Sequence, residues 1–457
     1  MSDVTAINAD AAVQAAAAQK ELTVQVHMLP PGRVSSIVPI EVRAGFMNGL
    51  NDDAGAGISF YLNGKDSENM VYSRQVEIEA GGTELVKFNL ETKGLTGKNK
   101  LFALVTQNGK IVESVEKDFS IVETGVRSTR MIDGSWCGIC HWSDIEGARW
   151  QDDIKKMTAA DWHQMVSSMH ECGVEVIVIQ EIFRHQEYAC KHDIPRKGYK
   201  GEAFYPSQLY PGRVDVACPD ALKAILEKAQ ELGMYVFVGI GMYAWFDFTP
   251  ESLEWHKQVA QEVWRLYGGY ESFYGWYVSE EAYGSLDLDY ISEEQIRKYR
   301  KDIIAFFKSF HDFTNSLTPG KPVMLAPNCH WLKKGEKYWM ELFKYLDIVC
   351  PFGFERMPFT DMSGPEAAEF YQKMCDATGS RLWLDMEIFL FGSRGELYPR
   401  PIEQIKSDLV RYSGFEKIMC YQFPGMMSAP WAKIQPGGDD AVELYKAYFE
   451  YVKDKLV

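Results

Sequence analysis

Basic residues are in short supply in this chain of 457: 48 Lys and Arg face 64 Asp and Glu, for a formal net charge of −16. With no basic patch to offset that surplus, nucleic acid and anionic membrane surfaces are excluded as main partners. Long apolar runs are missing too. No stretch of 18 apolar residues occurs, so no membrane-spanning helix is expected. Residues 1–20 are rich in Ala and have neither a basic n-region nor an apolar h-region, and they read as an N-terminal tail that is not a secretory leader.

Nothing in the sequence marks a metal or nucleotide site. The nine His form no His-x-His or His-Glu-x-x-His pair, and no Gly-rich phosphate turn follows a candidate strand. Cysteine is odd in number, at nine. Cys137-Gly138-Ile139-Cys140 has zinc-knuckle spacing but no second pair, and Cys172, Cys329, Cys350 and Cys420 lie in or beside apolar runs where buried thiols are expected. Only Cys190 and Cys218 share one long loop in which they could pair. Neither a metal nor a cofactor is therefore expected. Aromatic residues, by contrast, are generous: 12 Trp, 24 Tyr and 25 Phe serve mainly the core and leave faces on which sugar rings could stack.

At this length two domains are expected, one of them large. From Glu21 to about Val122 apolar residues alternate with period two, in Leu22–Val26, Ile40–Ala44, Val71–Ile78 and Leu101–Val105. Turn formers separate these runs and no helical period intervenes, which predicts an all-β Ig-like sandwich over residues 21–124, an accessory module separable from the rest of the chain. Beyond Gly125 the rhythm becomes helix, glycine, strand. Thr158-Ala159-Ala160-Asp161 is a capping box, Trp162, Met165, Val166 and Met169 share one face, Gly173 stops the helix, and Val174–Ile179 reads as a strand. Leu222, Ile225, Leu226 and Ala229 repeat the pattern before Gly233 and strand Tyr235–Ile240. Thr249-Pro250 opens the helix leading to Tyr274–Ser279, and Ser292 with Gln295 caps the one leading to Pro322–Ala326. With Met131–Trp136 before them and Ile348–Phe352, Leu382–Met386 and Lys417–Tyr421 after, there are eight strands, followed by a last helix over Asp440–Val452. Eight β/α units over residues 125–457 predict a (β/α)8 TIM barrel with its functional residues at the C-terminal strand ends. A doubly wound open sheet is disfavoured by the missing phosphate turn.

Two of these strands run out into acids. Tyr274-Gly275-Trp276-Tyr277-Val278-Ser279 leads into Glu280 and Glu281, and the seventh strand carries Asp385 and Glu387. Side chains alternate along a strand, so Tyr277, Ser279 and Glu281 share one face while Trp276, Val278 and Glu280 share the other, the apolar pair suiting the helix-facing side. Glu281 is then the inward acid, with Glu280 in reserve if a bulge breaks the parity. By the same rule Trp383, Asp385 and Glu387 point inward, Glu387 nearest the mouth. Carboxylates facing each other across a barrel mouth are the equipment of glycosidic bond cleavage. A gap of about 5–5.5 Å gives a retaining reaction with Glu387 as nucleophile and Glu281 as acid/base, and about 6.5–9.5 Å an inverting one. The plainer alternative has Glu281 capping the following loop and Glu387 paired with a base such as Arg394.

The Gly275-Trp276-Tyr277 to Glu281 segment, with Gly173-Val174-Glu175-Val176, resembles a bacterial family of domains of unknown function with glycosidase character. Over Arg127–Val457 the arrangement also resembles the large clan of glycoside hydrolases with catalytic glutamates at the ends of the fourth and seventh barrel strands. The resemblance implies a TIM barrel, an oligosaccharide or polysaccharide substrate, a hydrolase in carbohydrate metabolism that is retaining, and an extracytoplasmic (periplasmic or cell-surface) location. The clan usually carries Asn immediately before its acid/base glutamate, where this chain has Glu280.

Other strand ends offer subsite residues: Gln180 and Glu181 after the second, Asn328 and His330 after the fifth, Glu355 and Arg356 after the sixth, Tyr421 and Gln422 at the eighth, with Asp385 and Glu280 beside the catalytic pair. His141 is a further polar candidate, and Trp136, Trp142, Tyr243, Trp245 and Trp331 offer stacking faces. Each has a plainer use: Trp136 as core, His141 and His330 as satisfied hydrogen-bonding groups, Glu355-Arg356 as an internal ion pair. Two rival functions fit less of the sequence. One is a metal-dependent barrel hydrolase or isomerase using His141, Glu181, His330 and Glu355; the other is a non-catalytic glycan-binding protein on a barrel scaffold.

Overall fold

The computed structural model describes residues 22–184, 202–210, 212–241, 247–288, 292–356 and 361–456. The N-terminal tail, Cys190, Tyr243 and Trp245 lie outside the described residues. The chain forms two compact units, one of residues 22–31, Val38–Ile121 and Asp312–Lys321, the other of Gly32–Ile37, Val122–His311 and Pro322–Val457.

The first unit is β-rich and antiparallel. Ile40–Asn48 pairs with Leu22–Leu29 and Thr83–Leu90, while Ala54–Leu62 pairs with Met70–Ile78 and Gly97–Gln107. Phe60 and Tyr72 of the second set meet Phe88 of the first, with ring centroids 4.9 and 4.5 Å apart. Alternating side chains thus give each set one apolar face, and the aromatic rings join the two. Ala54–Leu62 goes unmarked by alternation because Gly55 and Gly57 dilute the pattern.

The second unit contains eight parallel strands in a closed ring: β1 (Gly134–Cys137), β2 (Val176–Ile179), β3 (Tyr235–Gly239), β4 (Phe273–Ala282), β5 (Val323–Pro327), β6 (Ile348–Val349), β7 (Arg381–Glu387) and β8 (Lys417–Tyr421). Each pairs with the next, and β8 closes on β1 through Met419–Gly134 and Cys420–Ser135. The intervening helices are α1 (Ala159–Glu171), α2 (Ala221–Glu231), α3 (Pro250–Tyr267), α4 (Glu293–Leu317), α5 (Leu332–Leu342), α6 (Gly364–Thr378) and α7 (Ile402–Arg411), with α8 (Gly438–Val452) last. Local chemistry sets their ends. Thr158 and Asp161 cap α1 reciprocally, Thr249 accepts from Ser252 N–H with Pro250 in the first turn of α3, and Ser292 and Gln295 exchange bonds of 2.8 and 3.3 Å before α4. Gly173 and Gly233, at φ +77° and +68°, leave α1 and α2 through the left-handed region that a Cβ disfavours. Among the described residues no helix is long and apolar enough to cross a membrane.

Three strands depart from expectation. β1 starts at Gly134, three residues late, because the buried Asp133 carboxylate turns to accept Ile418 N–H at 3.0 Å. β6 has two residues, the rest of its apolar run joining β5 by a lone bridge between Asn328 and Phe352. β4 reaches ten residues and carries both of its glutamates inside the strand.

At the N-terminal strand ends Arg33, Asp133, Glu175 and Lys417 form a charge cluster. Lys417 Nζ, fully buried, lies 3.7 Å from Asp133 and 3.8 Å from Glu175, while Arg33 Nη2 donates to Gly173 O at 2.8 Å and lies 3.8 Å from Asp133. Removing Arg33 takes one of two cations from the fully buried Asp133 carboxylate and from the partly exposed Glu175. Arg33→Ala is therefore expected to destabilise the protein by about 3–5 kcal/mol, read as a lowered urea midpoint. A loss below about 1 kcal/mol, the range of exposed pairs, would contradict this account.

Candidate active site

The C-terminal strand ends surround a cavity of about 290 Å3. β4 supplies Tyr277, Ser279 and Glu281 to its wall, and β7 supplies Asp385 and Glu387. The β4–β5 register does shift between Val278 and Ala282, yet these three β4 residues stay on the cavity side. Ser279 fixes them there, its hydroxyl donating to Gln180 O and accepting from Gly241 N–H at 3.1 Å. Glu280, on the opposite face, is buried with Oε1 3.8 Å from His256 Nε2 of α3, and it is not part of the wall. Trp136 of β1 stands edge-on to Tyr277 at 5.6 Å, and Tyr421 closes the ring from β8.

Glu387 is held by Arg356, whose Nε and Nη2 both donate to Oε1, at 2.9 and 2.7 Å. The same guanidinium lies over the rings of Phe389 and Phe391, 5.8 and 5.5 Å from their centroids, so a hairpin of Phe389–Phe391 and Leu397–Pro399 after β7 steadies it. Arg394, the sequence candidate for this role, instead faces Glu396 at 3.4 Å. Glu355 does not pair with Arg356 either; it accepts from Arg411 at 2.6 Å and from the Tyr412 hydroxyl at 2.5 Å.

The carboxyls differ in electrostatic setting. Burial pushes Glu281 up to about 7, with Glu146 and Glu387 adding to the rise and Arg356 opposing it. Burial also raises Glu146 to about 7 and holds Asp385 well above the carboxylate range, Glu387 and Glu281 adding to the latter. Glu387 is raised by burial too, but Arg356 draws it back by charge and by hydrogen bond. A carboxyl that titrates near 7 in the fold keeps its proton after the unfolded chain, at about 4.5, has lost it. The folded state then binds more protons, and stability falls as pH rises from about 4.5 to about 7. Replacing Glu146 and Glu281 together with Gln is expected to raise Tm at pH 8 relative to wild type by more than at pH 4.5. Equal shifts at the two pH values would contradict it.

The remaining candidates scatter. His141 is buried beside the cavity, its Nδ1 accepting from Ser143 N–H at 3.1 Å and its Nε2 facing the Tyr421 hydroxyl at 3.1 Å and Glu146 at 3.7 Å. Asn328 is a brace: its Oδ1 accepts from Gly284 and His330 N–H at 3.1 and 3.0 Å, tying the loop after β4 to the loop after β5. His330 stacks on Tyr283, Gln422 accepts from Gly138 N–H at 3.3 Å, and Glu181 is buried away from the lining. Trp142 joins the wall whereas Trp331 is exposed elsewhere, under Lys334. Cys137 and Cys140 are buried thiols, and Gln151 donates to Cys140 Sγ. Four wall residues, Glu146, Phe352, Phe389 and Phe391, are not among the sequence candidates: Glu146 lies in a loop with no period, and the three Phe at or beyond strand ends read from sequence as core.

A closed (β/α)8 barrel with carboxylates converging from β4 and β7 on one aromatic-walled cavity defines the class of this protein. Residues 132–434 match the family described as "Domain of unknown function (DUF4434)", and the chain belongs to it. No curated protein matches the chain. Among solved structures, the Bacteroides thetaiotaomicron "putative alpha-L-fucosidase" shares 18% identity over 76% of this chain and 99% of its own, at a TM-score of 0.50, a likeness of fold. Bacteroides uniformis beta-glucuronidase 2 covalently bound to cyclophellitol-6-carboxylate aziridine scores lower, at 0.43 with 12% identity over 94% of this chain, which spans 50% of that one. The Eisenbergiella tayi GH2 beta-galacturonidase bound to galacturonate gives 0.41 with 11% identity over 94% of this chain and 72% of its own.

Proposed function

We propose that the protein is a retaining glycoside hydrolase in which Glu387 is the nucleophile and Glu281 the acid/base. The observation that carries the reading is the unequal pairing of two glutamates on one cavity: Arg356 grips Glu387, while Glu281 has no such partner among the described residues and is pushed up to about 7. A nucleophile must be ionised to attack, and an acid must hold its proton to give it to the leaving oxygen. Arg356 favours the first state at Glu387; burial and neighbouring acids favour the second at Glu281. Aromatic walls at Trp136 and Tyr277 suit the apolar faces of a sugar ring. The fold shared with the Bacteroides thetaiotaomicron protein is consistent with this reading. An oligosaccharide or polysaccharide substrate, an extracytoplasmic location, and an Ig-like accessory sandwich divided from the barrel near residue 125 complete the proposal.

A glycan panel finds the substrate, and proton NMR of the first-formed product then reads its anomer. Retention supports the assignment; inversion removes the nucleophile role from Glu387. The pH profile gives a second reading. Glu281 is competent below its pKa, so kcat/KM on unactivated glycosides is expected to fall as pH rises through about 7. A profile flat to pH 9 would contradict the role of Glu281.

A further inference from the structure

Two glutamates do not account for all the acid in the cavity. Glu146 and Asp385 line it as well, against one described guanidinium, Arg356, which is already bonded to Glu387 at 2.9 and 2.7 Å. Asp385 is only 6% exposed, and its Oδ1 has no hydrogen-bond partner among the described residues, so a polar group on the cavity wall stands ready for a ligand. The rings of Trp136, Tyr277 and Tyr421 add π-faces, which carry negative potential and attract cations. Above about pH 7, where Glu146 and Glu281 have lost their protons, a carboxylate on a bound sugar would be desolvated here among like charges, with the one described cation already bonded to Glu387. A hydroxyl or an ammonium would meet acceptors.

We infer that this cavity takes a sugar ring that is neutral or bears an amino group, that it excludes uronic acids, and that Glu146 enforces the exclusion. The inference rests on the cavity being a sugar site and deepens that reading, but it does not depend on hydrolysis. Glu146 suits the part because it belongs to neither β4 nor β7. Its backbone is pinned on both sides, Glu146 N–H donating to Ser143 Oγ at 3.3 Å and Leu397 N–H donating to Glu146 O at 3.1 Å. Its carboxylate is therefore held toward the cavity by a fixed loop, close to His141 at 3.7 Å.

Calorimetric titration of the full chain and of Glu146→Gln at about pH 8, where Glu146 is ionised, tests this with matched sets of probes. Each set holds a neutral hexose, its 2-amino counterpart and its 6-carboxylate, in the gluco, galacto and manno configurations. In the configuration that binds, the neutral or amino member is expected to bind at least about tenfold more tightly than the uronate, and Glu146→Gln is expected to narrow that gap several-fold. A uronate that binds most tightly, a gap unchanged by Glu146→Gln, or no binding by any member overturns the inference. Turnover of matching aryl glycosides separates it from the hydrolytic proposal. Charge-ranked binding without turnover keeps the inference and removes the hydrolase, whereas turnover of an aryl uronide keeps the hydrolase and removes the inference.

Discussion

Glu387→Gln is expected to abolish glycoside hydrolysis, for activated and natural substrates alike, while the protein stays folded. The amide is nearly isosteric with the carboxylate but cannot form the glycosyl ester. The loss should be on the order of 10^4-fold or more, because the whole covalent route disappears and not only one proton transfer, itself worth about 10^2–10^4-fold. Glu387 Oε1 accepts both Arg356 bonds, and the Gln carbonyl can take its place, so the hairpin contacts of Arg356 with Phe389 and Phe391 should survive. Kinetics on aryl glycosides with a thermal melt as control read both halves. Residual turnover within tenfold of wild type would remove Glu387 from the chemistry.

Glu281→Gln should produce a different pattern. Without a proton donor, a substrate whose leaving group needs protonation is expected to lose about 10^2–10^4-fold in kcat, whereas a nitrophenyl-type leaving group departs unaided and should form the glycosyl-enzyme at close to the wild-type rate. Deglycosylation still needs a base, so the intermediate is expected to accumulate and give a burst in pre-steady-state traces. The comparison rests on the ratio between leaving groups, which a general loss of stability would not alter. If both classes of substrate slow equally, Glu281 is not the acid.

The placement of these residues was legible in outline from the sequence because a barrel strand has a two-residue period. Tyr277, Ser279 and Glu281, like Asp385 and Glu387, follow that period to the mouth, and the glycines at 173 and 233 mark where helix yields to strand. What parity could not reach was the partner of Glu387. Arg356 lies in the loop after β6, a strand of two residues whose period is too short to project, and its neighbour Glu355 offered an equally good ion pair by sequence alone. Glu146 comes from an irregular segment after β1, and its acidity is invisible until the fold sets it among Glu281, Glu387 and the buried His141. Conversely, Asn328 and Gln422 sit at strand ends where a ligand contact was the natural expectation, yet their side-chain oxygens accept from backbone N–H groups of neighbouring loops. Buried backbone donors need partners, and that requirement claimed both side-chain oxygens.

Trapping the covalent intermediate tests the central claim most directly. A 2-deoxy-2-fluoro glycoside with a good leaving group, in the configuration found by screening, slows both steps by destabilising the oxocarbenium-like transition state, and the leaving group keeps the first step fast enough for the adduct to persist. Peptide mass spectrometry of the inactivated protein is expected to find one added glycosyl group on Glu387, and none when Glu387→Gln is treated in the same way. A label on Glu281, Asp385 or Glu146, or steady turnover of the natural substrate by a protein that never takes up a label, would contradict the account.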